Sequence, residues 1–108
     1  MPGSGQIIGG GSVPGLTLKA WAIFNGAATG TNAPLKGAGV TSVTRNSVGN
    51  YSLVLSSALS DTSGLVDVRV NNSGNWTSNV TGVINTTTGV GIYTNSADPS
   101  VVYVGIYG

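Results

Sequence analysis

"LTLKAWAIFNG", Leu16 to Gly26, is the stretch from which the rest of the chain can be read. Leu16, Leu18, Ala20, Ala22 and Phe24 alternate with Thr17, Lys19, Trp21 and Ile23. A period of two is that of a strand with one face toward a core. Lys19 and Trp21 then share the opposite face, where the lysine stem can lie along the indole. Asn25-Gly26 closes the stretch, and both residue types accept positive φ, so the pair predicts a turn.

The same pattern recurs outward from this stretch. Val40 to Thr44 is a short Val/Thr run, and Tyr51, Leu53 and Leu55 alternate with Ser52, Val54 and Ser56. Val66, Val68 and Val70 alternate with Leu65, Asp67 and Arg69. Val80 to Ile84 and Val90 to Tyr93 follow, and Val102, Val104 and Ile106 alternate with Val101, Tyr103 and Tyr107. Each run is bounded by Gly, Asn, Ser or Pro, and none carries a helical stripe. Val48 to Asn50 supplies turn residues, and Asp98-Pro99 restricts Asp98 to extended geometry ahead of the last run. The pattern predicts an all-β, small single-domain β-sandwich or barrel of six to eight short antiparallel strands. Leu18, Phe24, Tyr51, Leu53, Leu55, Val66, Val68, Val70, Val102 and Val104 are the expected core. Gly26 to Gly39 reads as the longest loop, a place where function concentrates.

Residues 1–15 differ in character. They are rich in Gly, Ser and Pro and read as an extended N-terminal arm, with 16–108 as the β-domain. Ile7, Ile8 and Val13 are its sizeable apolar anchors, and so the expected contacts to a partner. The arm's Gly9 to Gly11 run lacks the Lys-Ser/Thr and the helix that a phosphate loop requires. The N-terminus has no basic region followed by a long apolar segment, so no signal peptide is expected.

Composition narrows the chemistry. The chain has 108 residues and a net charge of +1, and 6% of its residues are charged. Soluble domains average about 25%. Such a surface repels neighbours little, so close packing on other proteins is favoured. No basic stripe marks a nucleic-acid partner, and no apolar run approaches the ~20 residues of a membrane helix. There is no cysteine and no histidine, and the three acids are Asp61, Asp67 and Asp98. Asp61 and Asp67 could form the paired carboxylates of a glycosidase. Asp61, however, sits in a Ser-Asp-Thr-Ser-Gly turn where Asp bonds its own backbone, and Asp67 faces Arg69 along one strand. We therefore expect no enzyme, no catalytic residue, no cofactor and no metal. Trp21, Trp76, Tyr103 and Tyr107 are the candidate interface or ligand aromatics, with buried contact favoured over sugar stacking.

Four segments occur in a telling order: "KAWAIFNG", "VTSVTRNSVGNYSLVLSSAL", "GVGIY" and "ADPSVVYVGIYG". Together they resemble a β-rich virion structural or tail-fibre module of tailed bacteriophages. The likeness rests on Lys19, Ala20, Trp21, Phe24, Asn25, Gly26, Val40, Ser42, Val43, Gly49, Tyr51, Asp98, Pro99, Val102, Val104 and Tyr107, and covers about residues 19–108. The chain departs from that pattern at Pro34-Leu35-Lys36 and in an Asn/Ser-rich stretch from Leu65 to Asn79. A fibre module normally follows a stem, and here a short arm takes its place. The resemblance therefore implies a virion location, and first a capsid decoration or cement protein bridging major capsid subunits. A tail-fibre or tail-tip module whose long loop and aromatics contact host surface glycan is the alternative, and a plain tail subunit the next. It also implies self-association, with a trimer expected by analogy.

Overall fold

β-branched and aromatic residues dominate the runs, and they suit a pleated, half-buried surface better than a helix. The computed structural model describes residues 12–13, 15–72, 75–77, 80–95 and 98–108, and of 12–13, 72 and 75–77 the backbone alone. Among them there is no helix, and eleven strands follow in order. They are β1 (Ser12–Val13), β2 (Leu16–Phe24), β3 (Gly30–Asn32), β4 (Lys36–Ala38), β5 (Val40–Ser47) and β6 (Asn50–Leu55). Then come β7 (Leu65–Asn72), β8 (Asn75–Thr77), β9 (Thr81–Ile84), β10 (Gly89–Tyr93) and β11 (Val101–Tyr107). β2, β5, β6, β7, β9, β10 and β11 run four to nine residues; the other four are two or three residues long.

The strands form two antiparallel sheets packed as a sandwich. The first has the order β1-β2-β11-β7-β8, with β4 also on β2; the second is β3-β5-β6-β10-β9. Alternation sends Ala20, Ala22, Phe24, Val68, Val70, Val102, Val104 and Ile106 inward from the first sheet. Val40, Val43, Tyr51, Leu53, Leu55, Val90 and Ile92 meet them from the second. A period-two pattern pins this register, because a one-residue slip would turn every core side chain outward. Leu59 anchors the long 56–64 connection: its side chain is buried, and its amide donates to the Thr87 carbonyl at 2.7 Å.

Three expectations need correction. Leu18 is 38% exposed rather than buried. The register shifts between Ile106 and Tyr107, where β11 meets the start of β2, so the inward alternation holds only from Ala20 onward. Val66 is partly buried and rests against Gly82 of β9. Gly26 to Gly39 is not one loop. It contributes β3 to the second sheet and β4 to the first, so this segment crosses between the sheets.

Of the arm, Ser12 and Val13 pair with Thr17 and Leu16, which places the backbone of these two residues at the first sheet's edge. Ile7 and Ile8 lie outside the described residues, as does the side chain of Val13.

Candidate functional site

Three surfaces carry what this chain has to offer a partner. The first is the outer face of the first sheet. Register places Gly105 opposite both Trp21 and Asp67, and Tyr103 opposite Ile23 and Arg69. A Cβ on Gly105 would lie 2.8 Å from the Tyr103 hydroxyl and 3.5 Å from Tyr107 Cε1. The two tyrosines thus lean over a residue that has no side chain, filling the gap it leaves. Burial raises the Tyr103 phenol above its ordinary pKa; Tyr107 and Asp67 add to the rise and Arg69 opposes it. Lys19, Asp67 and Arg69 stand on this same face, and Lys36 is registered with Ile23. Arg69 and Asp67 form the expected solvated pair at 3.5 Å, with side chains 55% and 37% exposed.

Three of the four candidate aromatics therefore converge around Gly105. Trp21 and Tyr103 are half-buried, while Tyr107 is buried at 4% exposure. Trp76 is on β8, registered with Asn71 at the far side of the sheet, and its side chain lies outside the described residues.

The second surface is the end of the sandwich where Asp98 sits. Arg45 donates from Nε (3.0 Å) and Nη2 (2.7 Å) to Asp98 Oδ2. Asp98 Oδ1 accepts from the Gly49 amide and the Tyr51 hydroxyl, both at 2.9 Å. The same hydroxyl lies 2.8 Å from the Gly26 carbonyl. This tie joins the second sheet, through Arg45, Gly49 and Tyr51, to the end of β2 and the approach to β11. Arg45 holds the Asp98 carboxyl down to about 2, helped by the Gly49 amide and Tyr51. Burial and the neighbouring carboxylate push Tyr51 up to about 12. A carboxylate so well supplied with donors is a poor proton donor, and the phenol is a poor base.

The tie also explains Asn25-Gly26. The pair makes a turn, in which the Ala27 amide donates to Asn25 Oδ1 at 2.9 Å, but neither residue takes positive φ. Gly26 is needed for close approach: a Cβ there would lie 2.5 Å from the Pro99 carbonyl oxygen and 2.7 Å from the Tyr51 hydroxyl. By contrast Gly49 does take positive φ, at 70°, in the β5–β6 turn. Beside the tie lies a cleft of about 210 Å³, lined by the end of β2, the following segment, and β5 and β6.

The third surface is the outer face of the second sheet. Its outward positions include Thr31, Thr44, Ser52, Val54, Thr81, Val83, Gly89, Gly91 and Tyr93. None of the chain's seven charged side chains stands there. Four belong to the first sheet, Arg45 and Asp98 are in the tie, and Asp61 lies in the 56–64 connection. The hydroxyls and amides pair among themselves: Thr31 with Thr44 (2.7 Å), Thr41 with Ser56 (2.9 Å), and Asn46 with Ser52 (2.8 Å) and Asn50 (3.1 Å). β10 presents glycines at 89 and 91, with exposed Val54 and Val83 on the flanking strands. Tyr93 is 43% exposed, and its hydroxyl would lie 3.2 Å from a Cβ on Gly91.

The remaining acids are engaged locally. Asp61 accepts from the Ser63 amide (2.9 Å) and Ser63 Oγ (2.6 Å), which lowers its pKa. Among the described residues no three acids, histidines or cysteines gather as a metal site would require, and no helix is long and apolar enough to cross a membrane. Comparison with known proteins gives no match to a family model, to a curated protein or to a solved structure.

Sequence reasoning missed the Asp98 tie and the uncharged face. Asp98-Pro99 reads in the sequence as strand punctuation, Tyr51 as a core residue and Arg45 as nothing in particular, because their meeting depends on which strands become neighbours.

Proposed function

We propose that this chain is a structural protein of a tailed-phage virion, a decoration or cement protein that stabilises the shell by bridging major capsid subunits. The observation that carries the reading is the uncharged outer face of the second sheet. Covering charges with a protein neighbour costs desolvation that pairing only partly returns. This face has no charges to desolvate. Its hydroxyls and amides already hold one another, so covering them strands few polar groups. Val54, Val83 and Tyr93 supply apolar area, worth roughly 25 cal/mol per Å² removed from water before association costs.

The mechanism is burial rather than chemistry. Each copy adds interface that opposes separation of the subunits beneath it, and many weak contacts act together through avidity. The arm extends the footprint along a neighbouring subunit, with Ile7 and Ile8 as its anchors. The resemblance of residues 19–108 to tailed-phage virion modules sets the biological context for this reading.

The test is shell binding by purified variants, read as occupancy in reconstructed particles. Val54→Lys and Val83→Lys should each reduce occupancy at a fixed concentration, whereas Ile23→Lys, on the other outer face, should not. Equal loss from all three, or loss from Ile23→Lys alone, would remove the assignment of the docking face. If no form of the chain binds shells, the decoration role itself fails.

A further inference from the structure

Asn25-Gly26 is the only Asn-Gly pair in the chain, and the structure places it at a join that tolerates no change of backbone length. An asparagine followed by glycine is chemically labile, because no side chain on the following residue hinders attack of its amide nitrogen on the asparagine side chain. Here the geometry assembles the parts of that reaction. Asn25 and Ala27 are exposed on either side of the buried Gly26, so water reaches the Asn25 amide. Asn25 Oδ1 accepts from the Ala27 amide at 2.9 Å, which folds the side chain back over the peptide bond to Gly26. That same N–H points at the oxygen on which negative charge develops when Cγ is attacked, as a donor in an oxyanion hole does. Among the described residues nothing accepts a hydrogen bond from the Gly26 amide, so its nitrogen is not held in a ladder.

The other asparagines lack this combination. Asn46 is followed by Ser47, and its Nδ2 is spent on Asn50 and Ser52. Asn32, Asn50 and Asn85 precede Ala33, Tyr51 and Thr86, whose side chains crowd the attacking nitrogen. The consequence at Gly26 is also particular to this place. Its carbonyl accepts from the Tyr51 hydroxyl at 2.8 Å, and a Cβ on it would lie 2.5 Å from the Pro99 carbonyl oxygen. The backbone here has no room to shift without loosening what Tyr51 and Asp98 hold together.

We propose that Asn25 is a site of spontaneous deamidation in the folded protein, and that its isoaspartate product releases the Asp98 tie. Hydroxide takes the Gly26 amide proton, and the nitrogen attacks Asn25 Cγ. The new N–C bond closes a succinimide ring, the Cγ–Nδ2 bond breaks, and ammonia leaves with a proton from water, which restores the hydroxide. Water then opens the ring. Addition at Cγ gives aspartate with the original backbone; addition at the Asn25 carbonyl carbon gives isoaspartate, whose side-chain methylene now lies within the main chain. That extra length falls immediately before Gly26, so the Gly26 carbonyl is displaced from Tyr51. The change is slow and one-way, so it records the age of the molecule in the join between its two sheets. It does not depend on the shell reading.

The experiment ages the intact folded protein at neutral and at mildly alkaline pH and locates converted asparagines by peptide mass mapping. Isoaspartate is measured by enzymatic methylation with an isoaspartyl methyltransferase, and stability by urea unfolding of the separated fractions. Asn25 should convert about tenfold or more faster than any other asparagine, a barrier difference of about 1.4 kcal/mol, and faster still at the higher pH. Asn25→Ser, whose hydroxyl can still accept from the Ala27 amide, should remove that signal. Fractions rich in isoaspartate should unfold at lower urea than the parent. Asn25→Asp, which adds the charge without the methylene, should unfold close to the parent. Conversion of Asn25 only in the urea-unfolded chain, or of another asparagine first, would overturn the proposed site. Isoaspartate-rich fractions as stable as the parent, or Asn25→Asp as weak as those fractions, would overturn the release of the tie by added backbone.

Discussion

On the outer face of the first sheet, Gly105 lies beneath Tyr103 and Tyr107, with Lys19, Asp67 and Arg69 on the same face and Lys36 at its edge. On the second sheet's outer face, Gly91 lies beside Tyr93, and hydroxyl and amide side chains stand in place of charges. Both faces use one device, a strand glycine covered by a tyrosine two residues along. They differ in what surrounds it. A face ringed with charges remains comfortable in water. A face whose polar groups bond one another loses less on being covered. The two outer faces thus divide the chain's few solvent-facing strand charges unequally, and the division is the strongest functional signal the chain carries.

That comparison holds only while the two faces belong to one rigid sandwich, and the Asp98 tie is what spans both sheets at one end. The largest effect on stability is therefore expected there. Gly26→Ala would drive a methyl group into the Pro99 carbonyl and the Tyr51 hydroxyl, and the carbonyl is backbone that cannot swing aside. A loss of about 3 kcal/mol is expected, at the upper end for an inserted methyl, and urea unfolding measures it. Tyr51→Phe comes next. It removes the hydroxyl that meets Asp98 and the Gly26 carbonyl, and should cost about 2 kcal/mol by the same assay.

The tie also predicts the shape of the stability–pH curve. The Asp98 carboxyl is lowered from 3.8 to about 2 in the folded protein. Its contribution is therefore complete above about 3.8 and is lost as pH falls through 2. Tyr51 is raised from 10.0 to about 12, so its contribution is complete below 10 and is lost as pH rises through 12. Melting temperature against pH should show a plateau with an acid and an alkaline shoulder. Asp98→Asn should lower the plateau and shrink the acid shoulder, and Tyr51→Phe should remove the alkaline one. An unchanged acid shoulder in Asp98→Asn would assign it to other acids, Asp61 first, since Ser63 also lowers its pKa.

The smallest effects belong to the outer faces themselves. Asp67→Asn breaks an exposed pair and should change stability by less than about 0.5 kcal/mol. The contrast with Asp98→Asn would show how far the two ion pairs differ in role.

The sequence made much of this fold legible. Alternation in residues 20–24, 51–55, 66–70 and 102–106 places the core because those strands run straight past one another in register. Leu18 misled because one step on β11, from Ile106 to Tyr107, spans two on its own strand, from Ala20 to Leu18, and such a slip leaves no mark in a period-two pattern. β3 and β4 read as loop in the sequence because three residues are too few to display a period. Asn25-Gly26 was legible as a turn, but the reason for its glycine is contact with Pro99, which local pattern does not encode. The same holds for the tie, whose Arg45 and Asp98 are 53 residues apart, and for the cleft beside it. Period two did place Asp67 and Arg69 on one face. It could not show that the second sheet's outer face would be left without charge, since that follows from strand order.

The absence of cysteine makes the decisive measurement simple. Single cysteines at Ser52 and Thr44 report on the uncharged face, and those at Arg69 and Lys36 report on the other; all four positions are polar and sit on strands. Each variant is labelled with a maleimide reagent, first free and then bound to phage shells. The account predicts that Ser52→Cys and Thr44→Cys label when free and are protected when bound, while Arg69→Cys and Lys36→Cys label equally in both states. Protection at Arg69→Cys and Lys36→Cys with free labelling at Ser52→Cys and Thr44→Cys would contradict it.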